Sequence, residues 1–268
     1  MKIGKKEFDT AGHTYVMGIL NVTPDSFSDG GKWNRKDRAL AHVEKMLEEG
    51  ADVIDIGGES TRPGYTLLPE EEEIARVVPV IEAVKASFDV PVSLDTYKPA
   101  VASAGIDAGA DLINDIWGLK YDPRMAGIIA GSGLPCCLMH NRKNTDYLSF
   151  MEDVASDLKE SLELAAEAGI AGEKIILDPG VGFAKSYEQN LQVIHHLEEL
   201  GNLGHPLLLG CSRKSVIGLT LDLPADNRLE GTLATTVLAA VKGCMFVRVH
   251  DVRENLRAIR MTEAVLKS

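Results

Sequence analysis

The side chains best suited to chemistry in this sequence stand where short apolar segments stop. Asn21 ends the first such segment, Asp55 the second with Glu59 just beyond it, and Asp95 the third. Asn114 and Asp115 end the fourth, His140 the fifth and Asp178 the sixth; Ser212-Arg213-Lys214-Ser215 follows the seventh, and Arg248 and His250 close the eighth. Asp and Asn stop strands and start turns for local reasons, so any one of these has an ordinary structural explanation. Eight consecutive ends carrying such groups point instead to side chains that converge on one opening, as a binding site requires. The set divides by charge. Arg213, Lys214, Arg248 and His250 belong to the last two ends, and a helix starting near Ser215 would add backbone N–H groups suited to a phosphate. Asp95, Asn114 and Asp178 lie on the other side. A carboxylate accepts two parallel hydrogen bonds from a guanidine-like edge, so these acceptors suit a flat heterocycle rich in N–H donors. The substrate implied has a donor-rich ring at one end and a phosphate at the other.

Two connections have the composition of loops that close over a substrate. Residues 21–31 and 57–64 are rich in Gly, Ser and Pro yet carry Phe27 and Arg62. Other motifs fail. Gly180-Val181-Gly182-Phe183-Ala184-Lys185-Ser186 lacks the Gly before Lys of a P-loop and the third Gly of a dinucleotide fingerprint. No H-E-x-x-H or H-x-H pattern offers a zinc site, and the adjacent His195 and His196 read as a surface pair on a helix. Ser212 has no nucleophile-elbow context.

The elements that must position these residues recur. Apolar, β-branched runs occupy residues 15–20, 52–57, 91–96, 112–116, 135–140, 174–178, 206–212 and 245–250. Helical spacing of apolar residues fills stretches between them, such as 39–49, 72–86, 150–168, 191–200 and 229–242, and a last one covers 253–266. Strands alternating with helices pair in parallel through right-handed crossovers, and strands buried on both faces read as continuous apolar runs. Eight such units match a single-domain (β/α)8 TIM barrel spanning residues 1–268. The competing arrangement, an open doubly wound sheet, is disfavoured because no dinucleotide fingerprint opens the first unit. Gly50-Ala51-Asp52 and Gly109-Ala110-Asp111 each precede a strand and read as a helix stop with turn chemistry. Residues 2–13 are too polar for a barrel strand and are expected to form a β-hairpin closing the bottom of the barrel.

Composition narrows the partners. The chain has 268 residues, 45% hydrophobic, with a formal charge of −12. Such an acidic chain is poorly suited to nucleic acid, whose binding depends on clustered Lys and Arg, although local basic groups can still hold a small anion. Cys136, Cys137, Cys211 and Cys244 form no C-x-x-C pair and sit in apolar runs, so they read as reduced core residues. No apolar stretch is long enough to span a membrane and the first residues lack a signal-peptide core, so the expected location is the cytoplasm.

Several of these segments are recognisable. Met17-Gly18-Ile19-Leu20-Asn21-Val22-Thr23-Pro24-Asp25-Ser26-Phe27-Ser28-Asp29-Gly30-Gly31 and Asp55-Ile56-Gly57-Gly58-Glu59-Ser60-Thr61-Arg62-Pro63-Gly64 resemble the two signature segments of the dihydropteroate synthase family. Ser93-Leu94-Asp95-Thr96, Asn114-Asp115, Met139-His140, Asp178-Pro179-Gly180-Val181-Gly182-Phe183, Ser212-Arg213-Lys214-Ser215 and Arg248-Val249-His250 follow in the family's order. The resemblance implies that 6-hydroxymethyl-7,8-dihydropterin diphosphate and 4-aminobenzoate give 7,8-dihydropteroate and diphosphate. It implies a pterin pocket of Asp95, Asn114, Asp178 and Lys214 with Met139 packing on the ring. It implies a diphosphate site of Asn21, Thr61, Arg248 and His250, where Asn21 also approaches Mg2+. Arg62, Pro63, Phe183 and Ser215 would take the aminobenzoate, and Phe27 and Asp29 would belong to a closing first loop. A homodimer through the last helices is implied as well. One departure stands out: after Met139-His140 many members continue with Gln-Gly or a similar small pair, whereas this chain has Asn141-Arg142-Lys143-Asn144.

On this reading Asp95, Asp178, Lys214, Arg248 and His250 carry catalysis. Two alternatives share parts of the pattern. A methyltetrahydrofolate:corrinoid methyltransferase would use the same Asp and Asn contacts but has no use for the basic groups at the last two strand ends. A non-catalytic pterin-binding module would not need the intact loops.

Overall fold

The computed structural model describes residues 1–22, 32–59 and 67–268. A two-stranded antiparallel hairpin, β1 (Lys2–Ile3) and β2 (Lys6–Glu7), precedes eight parallel strands. These are β3 (Tyr15–Asn21), β4 (Val53–Gly57), β5 (Val92–Asp95), β6 (Leu112–Asp115), β7 (Cys136–Met139), β8 (Ile175–Asp178), β9 (Leu208–Leu209) and β10 (Phe246–Val249). Their spatial order is β8-β7-β6-β5-β4-β3-β10-β9, and a parallel bridge between Leu177 and Leu207 brings the two ends of the sheet together. The helices α1 (Lys32–Glu49), α2 (Glu70–Ser87), α3 (Pro99–Asp107), α4 (Arg124–Ser132), α5 (Phe150–Ala168), α6 (Tyr187–His195), α7 (Leu197–Gly201), α8 (Ser215–Leu221), α9 (Leu229–Val241) and α10 (Val252–Leu266) make the crossovers. The barrel expected from the recurrence is therefore present. None of the helices among the described residues is long and apolar enough to cross a membrane.

Two expected elements are shorter than the apolar pattern suggested. The run at 206–212 forms a strand only over Leu208–Leu209, with Leu207 in a single bridge; Pro206 has no N–H for the ladder and serves it as an acceptor from the Leu177 N–H at 2.9 Å. The helix expected over 191–200 breaks at His196, which leaves helical geometry at φ −111°, ψ 26°.

The strand period of two residues sorts the barrel into layers. Outward positions such as Ile54, Ile56, Val92, Leu94, Ile113, Leu138, Leu177 and Val247 join the helices in the main core. Inward positions at the start of the strands, Met17, Val53, Leu112, Cys137, Ile176, Leu208 and Phe246, form a second apolar cluster with Ile3 and Phe8. The hairpin thus plugs the bottom of the barrel as expected, with Phe8 edge-on to Tyr15 at 4.8 Å and tilted against Phe246 at 5.4 Å. Two residues further along the same strands, the inward set becomes Asp55, Asn114, Asp178, Gly210 and Arg248 beside Ile19 and Met139. All four cysteines are buried free thiols, and burial pushes Cys136 and Cys244 up to about 12.

The two Gly-Ala-Asp triplets prove to be strand-start clamps. Gly50 and Gly109 end their helices at φ +99° and +102°, a region that disfavours side chains. Two residues later the Asp52 N–H donates to the Val16 carbonyl at 2.8 Å while the Asp52 carboxylate accepts from the Val16 N–H at 2.9 Å. Asp111 makes the same pair with Val92, at 2.7 and 2.8 Å. A lysine neutralises each carboxylate: Lys6 on Asp52 at 2.5 Å and Lys85 on Asp111 at 2.6 Å. A methyl group at Gly50 would also be driven into the Leu256 side chain. Gly50→Ala should therefore lower unfolding free energy by about 2–4 kcal/mol, the sum of left-handed strain and overpacking. Gly127→Ala, on an exposed helical position with nothing within 4 Å, should be neutral or stabilising by up to about 1 kcal/mol, and urea denaturation of both variants checks the contrast.

Candidate active site

The polar inward layer lies at the carboxyl ends of the strands, and a guanidinium organises it. Arg248 projects from β10 across the barrel mouth. Its Nε donates to Asp55 Oδ2 on β4 at 2.6 Å and its terminal nitrogen to Asp95 Oδ2 on β5 at 2.7 Å. Asp55 is fully buried and accepts further from the Ser93 hydroxyl at 2.5 Å and the Asn114 amide at 3.5 Å. Asp178, on β8, accepts from the Gly180 N–H at 2.7 Å, while Lys214 donates to the Val181 carbonyl at 2.5 Å with its ammonium 5.0 Å from the centre of the Phe183 ring.

Two glycines keep this layer open. A Cβ on Gly210 would stand 3.6 Å from Asp178 Oδ2, 3.7 Å from the Lys214 ammonium and 4.0 Å from the Arg248 Cβ. A Cβ on Gly57 would stand 3.7 Å from Asp95 Oδ2 and 3.9 Å from Asn21 Oδ1. Asp95, Asp178, Lys214 and Arg248, together with Asn21 and Asn114, therefore face one space. Met139 lies beside it in a small apolar cluster with Tyr97 and Ile116, against which Trp117 and Phe183 pack. His250 shares a 3.0 Å hydrogen bond with the Ser212 hydroxyl, and Ser215 is exposed at the first position of α8. Thr61, Arg62, Pro63, Phe27 and Asp29 lie outside the described residues.

The electrostatics follow from crowding charge into a dry layer. Burial pushes the Asp95 carboxyl up to about 7; Arg248 pulls it down, and Asp55 and Glu73 push it further up. Burial raises Asp178 against the opposing pull of Lys214, and lowers Lys214 against the pull of Asp178. Burial alone would lower Arg248, but Asp55 and Asp95 hold it firmly ionised. Asp95 Oδ1 is buried and has no hydrogen-bond partner among the described residues. An unpaired buried acceptor costs the full desolvation of that atom, so a donor brought to Oδ1 would relieve a standing cost.

Side chains read at the strand ends without regard to parity turn elsewhere. Asp115 points away from the mouth and binds the backbone N–H groups of Trp117 and Leu119, both at 2.8 Å. His140 turns outward to Asp157 on α5, at 2.9 Å. Arg213 was expected on the cationic side, but it is turned away. Its backbone sits at φ 58° and its guanidinium clamps Asp251 with two bonds of 3.0 and 2.5 Å. Nor do the charges separate into an acidic and a cationic side, since Arg248 is long enough to cross β3 and pair with Asp55 and Asp95. Asp55, which the family resemblance left without a role, is central to the layer, and its inward parity with Asn114 and Asp178 is the signal that marks it. Glu59 and Glu73 are buried around Lys98, which donates to both and, at 2.7 Å, to the Leu68 carbonyl.

Among the described residues no group of three His, Cys, Asp or Glu side chains is placed to hold a metal ion. The Asn21 amide oxygen at the mouth suits one ligand position of a hard cation whose remaining ligands are phosphate oxygens and water, the usual coordination of Mg2+ at phosphate sites.

Asp95 gives a signed pH dependence. Its carboxyl rises from an ordinary 3.8 to about 7, so its contribution to stability is complete below the ordinary value and is lost as pH rises through about 7. Relative to wild type, Asp95→Asn should therefore gain stability as pH rises from about 4 to about 7, as read by urea denaturation at each pH.

Residues 17–250 match the family described as pterin binding enzyme. The chain is 60% identical over 268 residues to a dihydropteroate synthase of Clostridium beijerinckii, covering 100% of both chains. It superimposes with a TM-score of 0.95 and 51% identity on the crystal structure of a Clostridium difficile dihydropteroate synthase obtained in the presence of pteroic acid, covering 98% of this chain and 100% of that one. A Xanthomonas albilineans dihydropteroate synthase with 4-aminobenzoic acid matches at TM-score 0.91 and 44% identity, over 96% of this chain and 94% of that one.

Proposed function

The chain belongs to the pterin binding enzymes and, within them, to the dihydropteroate synthases, and we propose from this premise how its barrel mouth does the work. The substrates are 6-hydroxymethyl-7,8-dihydropterin diphosphate and 4-aminobenzoate, and the products 7,8-dihydropteroate and diphosphate. The observation that carries the reading is the buried Asp95 Oδ1, without a partner among the described residues, beside Asn114, Asp178 and Lys214. A pterin presents N–H donors along one edge and a ring nitrogen and carbonyl along the other. The carboxylates and Asn114 take the donors, Lys214 faces the acceptors, and Met139 packs on the ring. Donors bonded to the ionised Asp95 favour its charged form and so oppose the effect of burial.

Arg248 and His250 would stabilise the charge that grows on diphosphate as its C–O bond breaks; such fixed, preorganised charge is usually the largest catalytic contribution. Asn21 would hold Mg2+ together with the substrate's phosphate oxygens, and the ion would supply further neutralisation of charge on the leaving group; Thr61 is assigned to the same diphosphate site by the family resemblance. The methylene cation left behind is delocalised into the pterin, and Asp95 and Asp178 stabilise it by Coulomb attraction. The neutral aromatic amine, which Phe183 and Ser215 would place and to which the family resemblance also assigns Arg62, Pro63, Phe27 and Asp29, then attacks and gives its proton to water once the C–N bond has formed. No covalent enzyme intermediate and no general base is needed.

We further infer a cytoplasmic homodimer. The buried, unpaired cysteines support the location, and the exposed apolar residues Leu238, Val241, Met261 and Val265 on the last two helices support the interface.

Incubating the protein with both substrates and Mg2+ should release diphosphate, and a chelator should suppress the release until Mg2+ is restored. Asp95→Asn should lower kcat/KM by about 100-fold, equivalent to about 2.7 kcal/mol of lost transition-state stabilisation. Positional isotope exchange in the bound pterin diphosphate would report C–O cleavage before amine attack; its absence would mean direct displacement.

A further inference from the structure

The turn between β8 and α6, residues 179–186, is built in a way the reaction does not by itself explain. Gly180, Gly182 and Ala184 alternate in the left-handed region, at φ 69°, 86° and 45°. Within the turn the Phe183 N–H bonds the Gly180 carbonyl at 3.1 Å, and at its far end Asn190 accepts from the Gly182 N–H at 2.6 Å and donates to the Lys185 and Ser186 carbonyls. Lys214 takes the carbonyl of Val181 and the Tyr147 hydroxyl that of Ala184, at 2.5 and 2.8 Å. Lys185 folds back beneath the turn. Its Nζ reaches the carbonyls of Gly180 and Phe183 at 3.0 and 3.1 Å and His140 Nδ1 at 2.8 Å. Three acceptors match the three N–H bonds of an ammonium. His140 is held in turn by Asp157 through its other ring nitrogen, and Arg142 grips the same carboxylate. With Nδ1 accepting from Lys185, the His140 proton belongs on Nε2, where Asp157 accepts it.

We propose that Lys185 is a positioning residue for the aminobenzoate half of the reaction: it is the pin around which the turn is wrapped, and the shape so fixed presents Phe183 to the mouth. His140 and Asp157 fix the pin. This rests on the reaction proposed above. Arg142 acquires a role here as well, since the residue that departs from the family's usual small pair braces Asp157 and lies over the Tyr147 ring at 4.4 Å. Lys185 does not touch the reacting atoms in this arrangement. Burial drives its ammonium down to about 7, with Asp178 and Asp157 opposing the fall and Lys214 and Arg142 adding to it.

Lys185→Met keeps the bulk of the side chain and removes all three donors. In the folded variant, hydrogen exchange at the Phe183 amide, which bonds the Gly180 carbonyl that Lys185 also holds, should accelerate by about ten-fold or more while the strand amides keep their protection. The KM for 4-aminobenzoate, at saturating pterin diphosphate, should rise by about ten-fold with kcat changed by less than about threefold. Unchanged exchange, or faster exchange with unchanged KM, overturns the proposal. If Lys185→Met does not fold, the His140 pair decides. His140→Leu should raise the same KM by about threefold or more, and His140→Gln, able to accept from Lys185 and donate to Asp157, should stay closer to wild type; equal values in the two variants overturn it. Wild-type protein inactive with both substrates would defeat the proposed reaction instead, and the exchange measurement alone would then decide whether Lys185 holds the turn.

Discussion

Everything at the barrel mouth depends on holding Arg248 out of water between two carboxylates. An isolated guanidinium in such a place would cost several kcal/mol, and the cost is offset only where partners meet it with good geometry. Asp55 and Asp95 do so at 2.6 and 2.7 Å, and Ser93 and Asn114 complete the shell of Asp55. Asp95 is left half-satisfied. One of its oxygens serves the guanidinium and the other has no partner among the described residues. A pair of this kind is poor evidence of stability for its own sake, because well-packed apolar residues often do as well. Its retention makes sense as a preorganised charge array that a ligand completes.

The array exists because of parity. Successive strand residues face opposite sides, so an apolar inward layer near the hairpin is followed two residues later by a polar one. The same rule separates the side chains at the mouth from their neighbours in sequence. Asp95 and Thr96 are adjacent, yet the first faces Arg248 and the second bonds Glu73 at 3.1 Å behind the sheet. Met139 and His140 divide in the same way.

Much of this was legible in the residues. Eight continuous apolar runs marked the strands because each is buried on both faces, and the polar ends marked the mouth. The family segments then pointed to the chemistry, and the relatives agree with it. What was not legible has physical reasons. Strand ends read as a list do not reveal which side chains turn inward, so Asp115 and His140 looked like mouth residues on the same footing as Asp55, which the family resemblance left without a role. Arg213 could not be placed because its direction is set by one left-handed backbone angle and by Asp251, 38 residues away in sequence. The separation of charges failed because a long Arg side chain reaches two strands beyond its neighbour. The Lys185 cage was invisible, since two of its three acceptors are backbone carbonyls that carry no sequence signal and the third, His140, lies 45 residues away.

The burial of all four cysteines has a practical side. Thiols packed between strands and helices, two of them shifted to about 12, offer almost no thiolate to a maleimide or iodoacetamide reagent at neutral pH. The natural chain is therefore a silent background for labelling. A single cysteine introduced at an exposed position near the mouth would carry a fluorophore or spin label alone, so distances across the opening could be followed during turnover without first stripping native thiols from the core.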